Sequence, residues 1–409
     1  MAAFSPPQRV VVTGLGAVTP LGQDLPTTWR RLIAGEDGAG TVSLFDVSGC
    51  RCKIGGMATL PALPHVSAKK LKRLSRSSRL ALPAAREALQ DAGLLNGEGC
   101  STLAQLPISV STTGGGMSLG EQFMRALIAH QKAPNYFLVS HYSTQRQMLD
   151  LQDDLGIRGP ITIIANACAS GANSIGHARD LIRAGAAECV LAGGYEALTE
   201  LIYVGFDCLQ AMSSDRCRPF DTQRSGLMLG EAGAFMVLES ETHARRRGAR
   251  ILCELAGYGH STDLHHLTQP NPAGQALVNA AGMAFVEAGL LPSEIGYLNA
   301  HGTATPLNDA SECAAFAAIF NGAWPRISST KAAIGHTLGA AGSVEAVFAV
   351  QALVTGELPP QINLRQPEPV VAGKLAAPGE RDEHMRATMS VNLGFGGSNA
   401  ALIFTRHES

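Results

Sequence analysis

The sequence predicts an α/β protein built from two similar halves, and three observations carry that reading. Apolar, β-branched runs alternate with helix-patterned stretches along the chain, the pattern of sheets covered by helices. Ala88-Leu-Gln-Asp-Ala-Gly-Leu-Leu95 is echoed by Ala284-Phe-Val-Glu-Ala-Gly-Leu-Leu291, each closing a helical pattern with a glycine near the C-cap. Gly171…Gly185 is echoed by Gly342…Gly356, two glycine pairs bracketing small-residue helical stretches of equal length. Two echoes in the same order place the join near residues 250–255. An amino-terminal half is expected over 1–250 and a carboxy-terminal half over 251–409.

Composition fits a compact fold. Of 409 residues, 45% are hydrophobic, 16% are charged and 45 are glycines, which excludes a disordered chain and suits tight turns and close helix–sheet contacts. A net charge of −2 gives no global drive toward nucleic acid or membrane. The nine cysteines are scattered without a Cys-x-x-Cys pair, so neither a disulfide framework nor a zinc site is expected, and a reducing compartment is. The start, Met1-Ala-Ala-Phe-Ser-Pro-Pro-Gln-Arg-Val10, lacks a cationic region followed by an apolar one, and no run of 18 apolar residues occurs. The expectation is a cytoplasmic protein with no metal or bound cofactor.

Taken in order, Arg9-Val-Val-Val-Thr13 is the first strand. It runs into Gly14-Leu-Gly-Ala-Val-Thr19, which fails the dinucleotide fingerprint because Thr19 stands at its third glycine. Lys69-Lys-Leu-Lys-Arg-Leu-Ser-Arg-Ser-Ser-Arg79 holds six cations and no acid, either a solvated helix face or a docking patch for an acidic partner. Gly116-Met-Ser-Leu-Gly120 has the form of a nucleophile elbow, but Ser118 comes several residues after the strand Leu106–Ser111 ends. Ser328-Ser-Thr-Lys331 has the S-x-x-K form without its companion motifs.

The strand Ile161-Thr-Ile-Ile-Ala165 is different. It leads through Asn166-Ala-Cys-Ala-Ser-Gly171 straight into a helical pattern over Ala172–Arg183. That geometry presents Cys168 at a helix N-terminus, where unpaired N–H groups favour a thiolate over the ordinary thiol of pKa about 8.5. A buried core cysteine beside a tight turn is the competing reading. Three later segments also start as strands and break into glycine and small polar residues. They are Tyr297-Leu-Asn-Ala-His301-Gly-Thr-Ala-Thr-Pro-Leu-Asn-Asp309, Ile327-Ser-Ser-Thr-Lys331-Ala-Ala-Ile-Gly-His336 and Met389-Ser-Val-Asn-Leu-Gly-Phe395-Gly-Gly-Ser-Asn399. A lone histidine is more often structural, but two histidines, a lysine and a strand-end cysteine on matching elements of duplicated halves point together to a site.

These residues closely resemble the elongating β-ketoacyl-acyl-carrier-protein synthases, thiolase-like condensing enzymes of the KAS II kind. The resemblance runs from Val12-Thr-Gly-Leu-Gly16 through Arg218-Pro-Phe-Asp221 to Gly394-Phe-Gly-Gly397. It implies a five-layered αβαβα sandwich of two duplicated halves and a dimer. It implies that Cys168 takes an acyl chain from a carrier-protein phosphopantetheine thioester, and that the backbone amides of Cys168 and Phe395 form the oxyanion hole. Neutral His301 and His336, each offering Nε2–H, would hold the enolate left when a malonyl thioester loses CO₂. Lys331, paired with Glu345, would orient the histidines, and Asp309 would support the loop. Thr303 and Thr305 match positions that bind pantetheine, and Phe206 a position of the acyl pocket. Lys69, Lys70, Lys72, Arg73 and Arg76 match the surface that docks the acidic acyl carrier protein.

Two departures from the family bear on substrate. Gly114 stands where typical fatty-acid members have a bulky gate, and Ser225-Gly-Leu227 where they have Gly-Phe. Both imply a roomier tunnel, suited to long, rigid or unsaturated chains such as polyenes. Competing functions are a thioester hydrolase using Cys168 or Ser118 with one histidine, and a subunit of a ketosynthase/chain-length-factor heterodimer.

Overall fold

The computed structural model describes residues 8–95, 103–129 and 135–407. Residues 1–7 of the amino-terminal stretch and Cys100 lie outside them. Ten strands form one mixed sheet. The first half contributes β1 (Val10–Val18), β2 (Ile108–Ser111), β3 (Ile161–Ile164), β4 (Cys189–Glu196) and β5 (Ala232–Ser240). The second half contributes β6 (Cys253–Thr262), β7 (Ile295–Asn299), β8 (Arg326–Ser328), β9 (Ala387–Leu393) and β10 (Ser398–Thr405).

The spatial order is β8-β7-β9-β10-β6-β1-β5-β4-β2-β3. Counted within its own half, each set of five strands therefore runs third, second, fourth, fifth, first. The senses match as well. β2 is parallel to β3 and β4, and β4–β5 and β5–β1 are antiparallel. In the second half β7 is parallel to β8 and β9, and β9–β10 and β10–β6 are antiparallel. The halves join where β1 meets β6, through Val11↔Glu254 and Val12↔Cys253.

Six helices repeat in step: α1 (Arg76–Asp91), α2 (Thr144–Leu155) and α3 (Ser170–Arg183), then α4 (Gln275–Ala288), α5 (Pro306–Phe320) and α6 (Ala341–Thr355). α3 and α6 pack on each other between the two half-sheets, α1 and α2 cover one outer face, and α4 and α5 the other. The result is the five-layered thiolase-like sandwich. The two sequence echoes fall on the ends of α1 and α4 and along α3 and α6.

Burial explains the composition of these elements. The middle layer joins Ile175 and Ala178 of α3 to Val344 and Val347 of α6 and Leu15 of β1, all buried. Residues 338–355 are long and apolar enough to cross a membrane, yet 83% of that stretch is buried inside the fold. α6 is buried on nearly every face because it has a half-sheet on each side, and the one charge it carries, Glu345, is paired with Lys331. Gly14 and Gly16 lie within β1, not in a phosphate loop. A Cβ on either would collide with the α1 backbone, at Ala88 and Ala84 respectively, so the glycines serve close helix–sheet packing.

Candidate active site

Cys168 sits on a sharp turn between β3 and α3. Ala167 before it is held at φ 60°, a left-handed conformation that aims the thiol away from the strand direction. Ser170 knits the turn, its Oγ accepting from the Asn166 amide at 2.8 Å and donating to the Ala167 carbonyl at 2.5 Å. Leu338, at φ 47°, makes the same turn ahead of α6. The pseudo-symmetric counterpart of Cys168 is therefore Gly339, one residue past each left-handed turn.

His301 comes off the end of β7. Its amide and that of Gly302 donate to the Glu312 carboxylate on α5 at 2.8 and 2.6 Å. One helical turn earlier, Asp309 accepts from the amides of Phe220 at 2.8 Å and Ala304 at 3.1 Å. Lys331 opens a short helix after β8, and His336 follows it. One ring nitrogen of each histidine and Cys168 Sγ lie within 4.8 Å of one another, all three residues buried. The two rings meet edge to face, 5.2 Å between centroids.

The hydrogen bonds fix both tautomers. Lys331 Nζ donates to His301 Nδ1 at 3.2 Å and to the His301 carbonyl at 2.6 Å, and its third partner is Glu345. The Leu338 amide donates to His336 Nδ1 at 3.3 Å. With Nδ1 an acceptor on each ring, the hydrogen is on Nε2. His336 Nε2 is buried and has no hydrogen-bond partner among the described residues, which leaves its N–H for a ligand atom. Burial, then the Lys331 charge, holds both imidazoles well below the ordinary histidine range, and His336 adds to the effect on His301. Cysteine with two histidines is also a metal-donor set. Here the facing nitrogens carry hydrogens rather than lone pairs, which suits an anionic oxygen better than a cation.

The thiol itself departs from expectation. Burial pushes Cys168 up to about 11, against the pull of Lys331 and of the Phe395 amide, which hydrogen-bonds the sulfur. The helix N-terminus does not make a resting thiolate, because desolvation outweighs it. The amides of Phe395 and Cys168 both reach the sulfur.

Cys168, His301 and His336 open onto a cavity of about 340 Å³, which Phe206, Leu227, Thr303 and Thr305 also line. The hydroxyls of Thr303 and Thr305 lie 2.9 Å apart. Phe395 stacks on Phe206, centroids 5.7 Å apart, and is 37% exposed at the mouth. Two expectations are corrected, at Gly114 and Arg76, and the discounted Ser118 stays discounted. Gly114 does not border this cavity: its amide is tied to Glu196 at 2.8 Å, and a Cβ there would stand 3.0 Å from Glu196 Oε1 and 3.1 Å from Ile202 Cδ1. The volume saved at Gly114 is filled by Glu196 and Ile202. Arg76 is not a free docking cation, since it pairs with the fully buried Glu231 and donates to the Ala58 carbonyl at 2.8 Å. Ser118 lies on the helix Met117–Ile128, away from the cavity. Lys69, Lys72 and Arg73 are exposed and Lys70 half-buried, with the Arg73 guanidinium over the Phe137 ring.

Sequence reasoning missed two buried carboxylates, Glu196 and Glu312. Burial pushes Glu312 up to about 8 and Glu196 to about 7. Glu312 was detectable in principle, three residues after Asp309 and so on the same face of one helix. Glu196 ends an apolar strand, where a lone carboxylate is a signal of a buried polar contact.

A turn-mounted cysteine, two neutral imidazoles aimed beside it and a thiolase-like frame define a carbon–carbon bond-forming acyltransferase. The chain belongs to the β-ketoacyl synthase family: residues 7–244 match its "Beta-ketoacyl synthase, N-terminal domain" and residues 252–365 its "Beta-ketoacyl synthase, C-terminal domain". It is 34% identical to the 3-oxoacyl-[acyl-carrier-protein] synthase 2 of Staphylococcus aureus (strain COL) over 414 residues, covering 98% of this chain and 99% of that one. The ishigamide ketosynthase/chain length factor superposes with a TM-score of 0.87 at 31% identity, covering 98% of this chain and 100% of that one. A type II polyketide-synthase ketosynthase in complex with its acyl-carrier protein gives 0.88 at 26% identity, with 98% and 100% coverage.

Proposed function

We propose that Cys168 carries the growing acyl chain and that His301 and His336 drive its condensation with a malonyl unit delivered on acyl carrier protein. The observation that carries this is the pair of Nε2–H groups converging beside a buried cysteine. A hydrolase needs one base and a water, and it leaves the second histidine and Lys331 without a role.

In the first half-reaction the Cys168 sulfur attacks the acyl thioester, the Cys168 proton leaves with the phosphopantetheine sulfur as a thiol, and the acyl chain remains on Cys168. Because the thiol rests near 11, its proton departs as the bond forms rather than beforehand. The Phe395 and Cys168 amides hold the oxyanion, such donors being worth about 3–4 kcal/mol each. In the second, malonyl thioester loses CO₂, and its enolate oxygen takes hydrogen bonds from His301 and His336. The carbanion attacks the acyl-Cys168 carbonyl, Cys168 leaves as thiolate and regains a proton, and a β-ketoacyl thioester two carbons longer departs. Glu345 and Asn392, the latter donating to Glu345 Oε2 at 2.6 Å, hold Lys331 behind the histidines. No cofactor beyond the carrier's phosphopantetheine is required.

Partners follow from the surface and the sheet. Lys69, Lys70, Lys72 and Arg73 offer cations to an acidic carrier protein, and Thr303 and Thr305 line the channel its pantetheine would enter. β3 is the edge strand of the sheet, while the far edge at β8 is covered by 374–376 through Ile327. A second chain pairing on β3 would satisfy that edge and make a dimer. The similarity to a ketosynthase/chain length factor supports a heterodimeric partner as the second reading. We place the chain in the cytoplasm, in fatty-acid or polyene and polyketide-type synthesis. Incubation with a panel of saturated and polyunsaturated acyl carriers, read by intact-protein mass, tests both the acylated residue and the chain preference. A preference for saturated medium chains contradicts the polyene assignment.

A further inference from the structure

The buried carboxylate of Glu196 has no part in the mechanism above, yet it touches both halves of the molecule. It lies at the end of β4, fully buried, and accepts four hydrogen bonds. Three are in the first half: from the Thr113 amide at 2.7 Å, the Gly114 amide at 2.8 Å and the Thr112 hydroxyl at 3.3 Å. The fourth is from Gly339 of the second half, at 3.1 Å. Gly339 is the counterpart of Cys168, in the short turn just ahead of α6. A Cβ on it would collide with the Thr112–Thr113 backbone, so the two halves meet here without slack.

The residue before Gly339 is Leu338, whose amide donates to His336 Nδ1 at 3.3 Å and thereby keeps the hydrogen on Nε2. Leu338 is held at φ 47°, a strained conformation for a branched side chain that persists only when its surroundings impose it. The Glu196 carboxylate anchors the next peptide unit and so imposes it. The Glu312 clamp on the His301–Gly302 amides does the same service for the other histidine, and His301 and Thr113 follow the ends of equivalent strands.

We propose that Glu196 is a positioning residue for the decarboxylation half-reaction: by fixing the Leu338–Gly339 turn it holds His336 in the Nε2–H tautomer aimed at the enolate. The proposal rests on the condensing role given to His336 above. It is specific to one half-reaction, because acylation of Cys168 relies on the Phe395 and Cys168 amides and not on His336.

The test compares wild type with Glu196→Gln, which keeps size but puts an NH₂ group against one of the donating amides. Three readouts are taken: acyl transfer to Cys168 by intact mass, CO₂ release from malonyl carrier protein, and the ¹⁵N resonances of His336, assigned by their absence in His336→Gln. The expected result is acylation within about twofold of wild type, decarboxylation slowed about tenfold or more, and loss of the single neutral tautomer at His336. Equal losses in both half-reactions, or no loss in either, overturn the proposal. Should Glu196→Gln fail to fold, Thr112→Val removes the hydroxyl that donates to Glu196 and also accepts from the Gly115 amide at 3.0 Å; the same selective slowing, smaller in size, is required of it, and its absence overturns the proposal too. A wild-type chain that is not acylated on Cys168 would instead overturn the functional reading on which this rests.

Discussion

Gly171 and Gly342 face each other across the centre of the molecule, each lying against the other's helix. A Cβ on Gly171 would collide with the amide of Ser343, and one on Gly342 with the amide of Ala172. The contact is reciprocal because the halves are duplicates, and it sets the spacing of α3 and α6, hence of Cys168 and the second-half histidines. Gly171→Ala is expected to destabilise the fold by about 1–3 kcal/mol, the range for forcing a methyl group into a packed interior. Thermal or chemical denaturation checks it. A melting point unchanged from wild type would show that the two helices part without cost.

Lys331 and Glu345 form a buried pair that also sets the His301 tautomer. Lys331→Ala leaves Glu345 without its cation and is expected to cost about 3–5 kcal/mol of stability. Activity loss should be larger for condensation than for acylation of Cys168, measured as CO₂ release and intact mass on the same preparation.

The histidines predict a pH response of definite sign. Folded His301 and His336 sit well below the ordinary 6.5, so the unfolded chain binds protons that the folded chain does not. Their contribution is full above about 6.5 and is lost as pH falls below it. Glu312 and Glu196 act in the opposite sense. Raised to about 8 and about 7, they contribute fully below about 4.5, and that contribution is lost as pH rises toward those values. Stability should therefore decline on both sides of a mildly acidic optimum. Melting temperatures between about pH 3.5 and 9 check it, and Glu312→Gln should flatten the alkaline side.

The two departures from the family pattern separate cleanly. Leu227 lines the cavity and Gly114 does not. Leu227→Phe is expected to shift acyl preference toward shorter chains. Gly114→Ala should leave chain preference unchanged and lower stability, since its Cβ would crowd Glu196 and Ile202. Competition between short and long acyl carriers reads both.

Much of this was legible in the sequence. The echoes at 88–95 and 284–291, and at 171–185 and 342–356, lie on equivalent helices, because a duplicated fold must keep its helix ends and its close glycine contacts. The strand–turn–helix around Cys168, and the strand-end histidines, show in local pattern alone. What did not show depends on depth and on partners distant in sequence. The Cys168 thiol is raised because it is buried, which no local motif states. Arg76 reads as one cation among six until Glu231, 155 residues away, claims it. Glu196 and Glu312 pass for ordinary acids until the amides that surround them are placed.

The central claim is a division of labour between a cysteine that carries the chain and two histidines that make the nucleophile. The most direct test is one assay on Cys168→Ala and on the double variant His301→Ala/His336→Ala, each given acyl and malonyl carrier protein. Cys168→Ala should gain no acyl mass yet still release CO₂. The double variant should gain the acyl mass and release CO₂ about 10²–10³-fold more slowly than wild type. Acylation of Cys168→Ala at another residue with condensation intact, or undiminished CO₂ release without the histidines, would contradict the account.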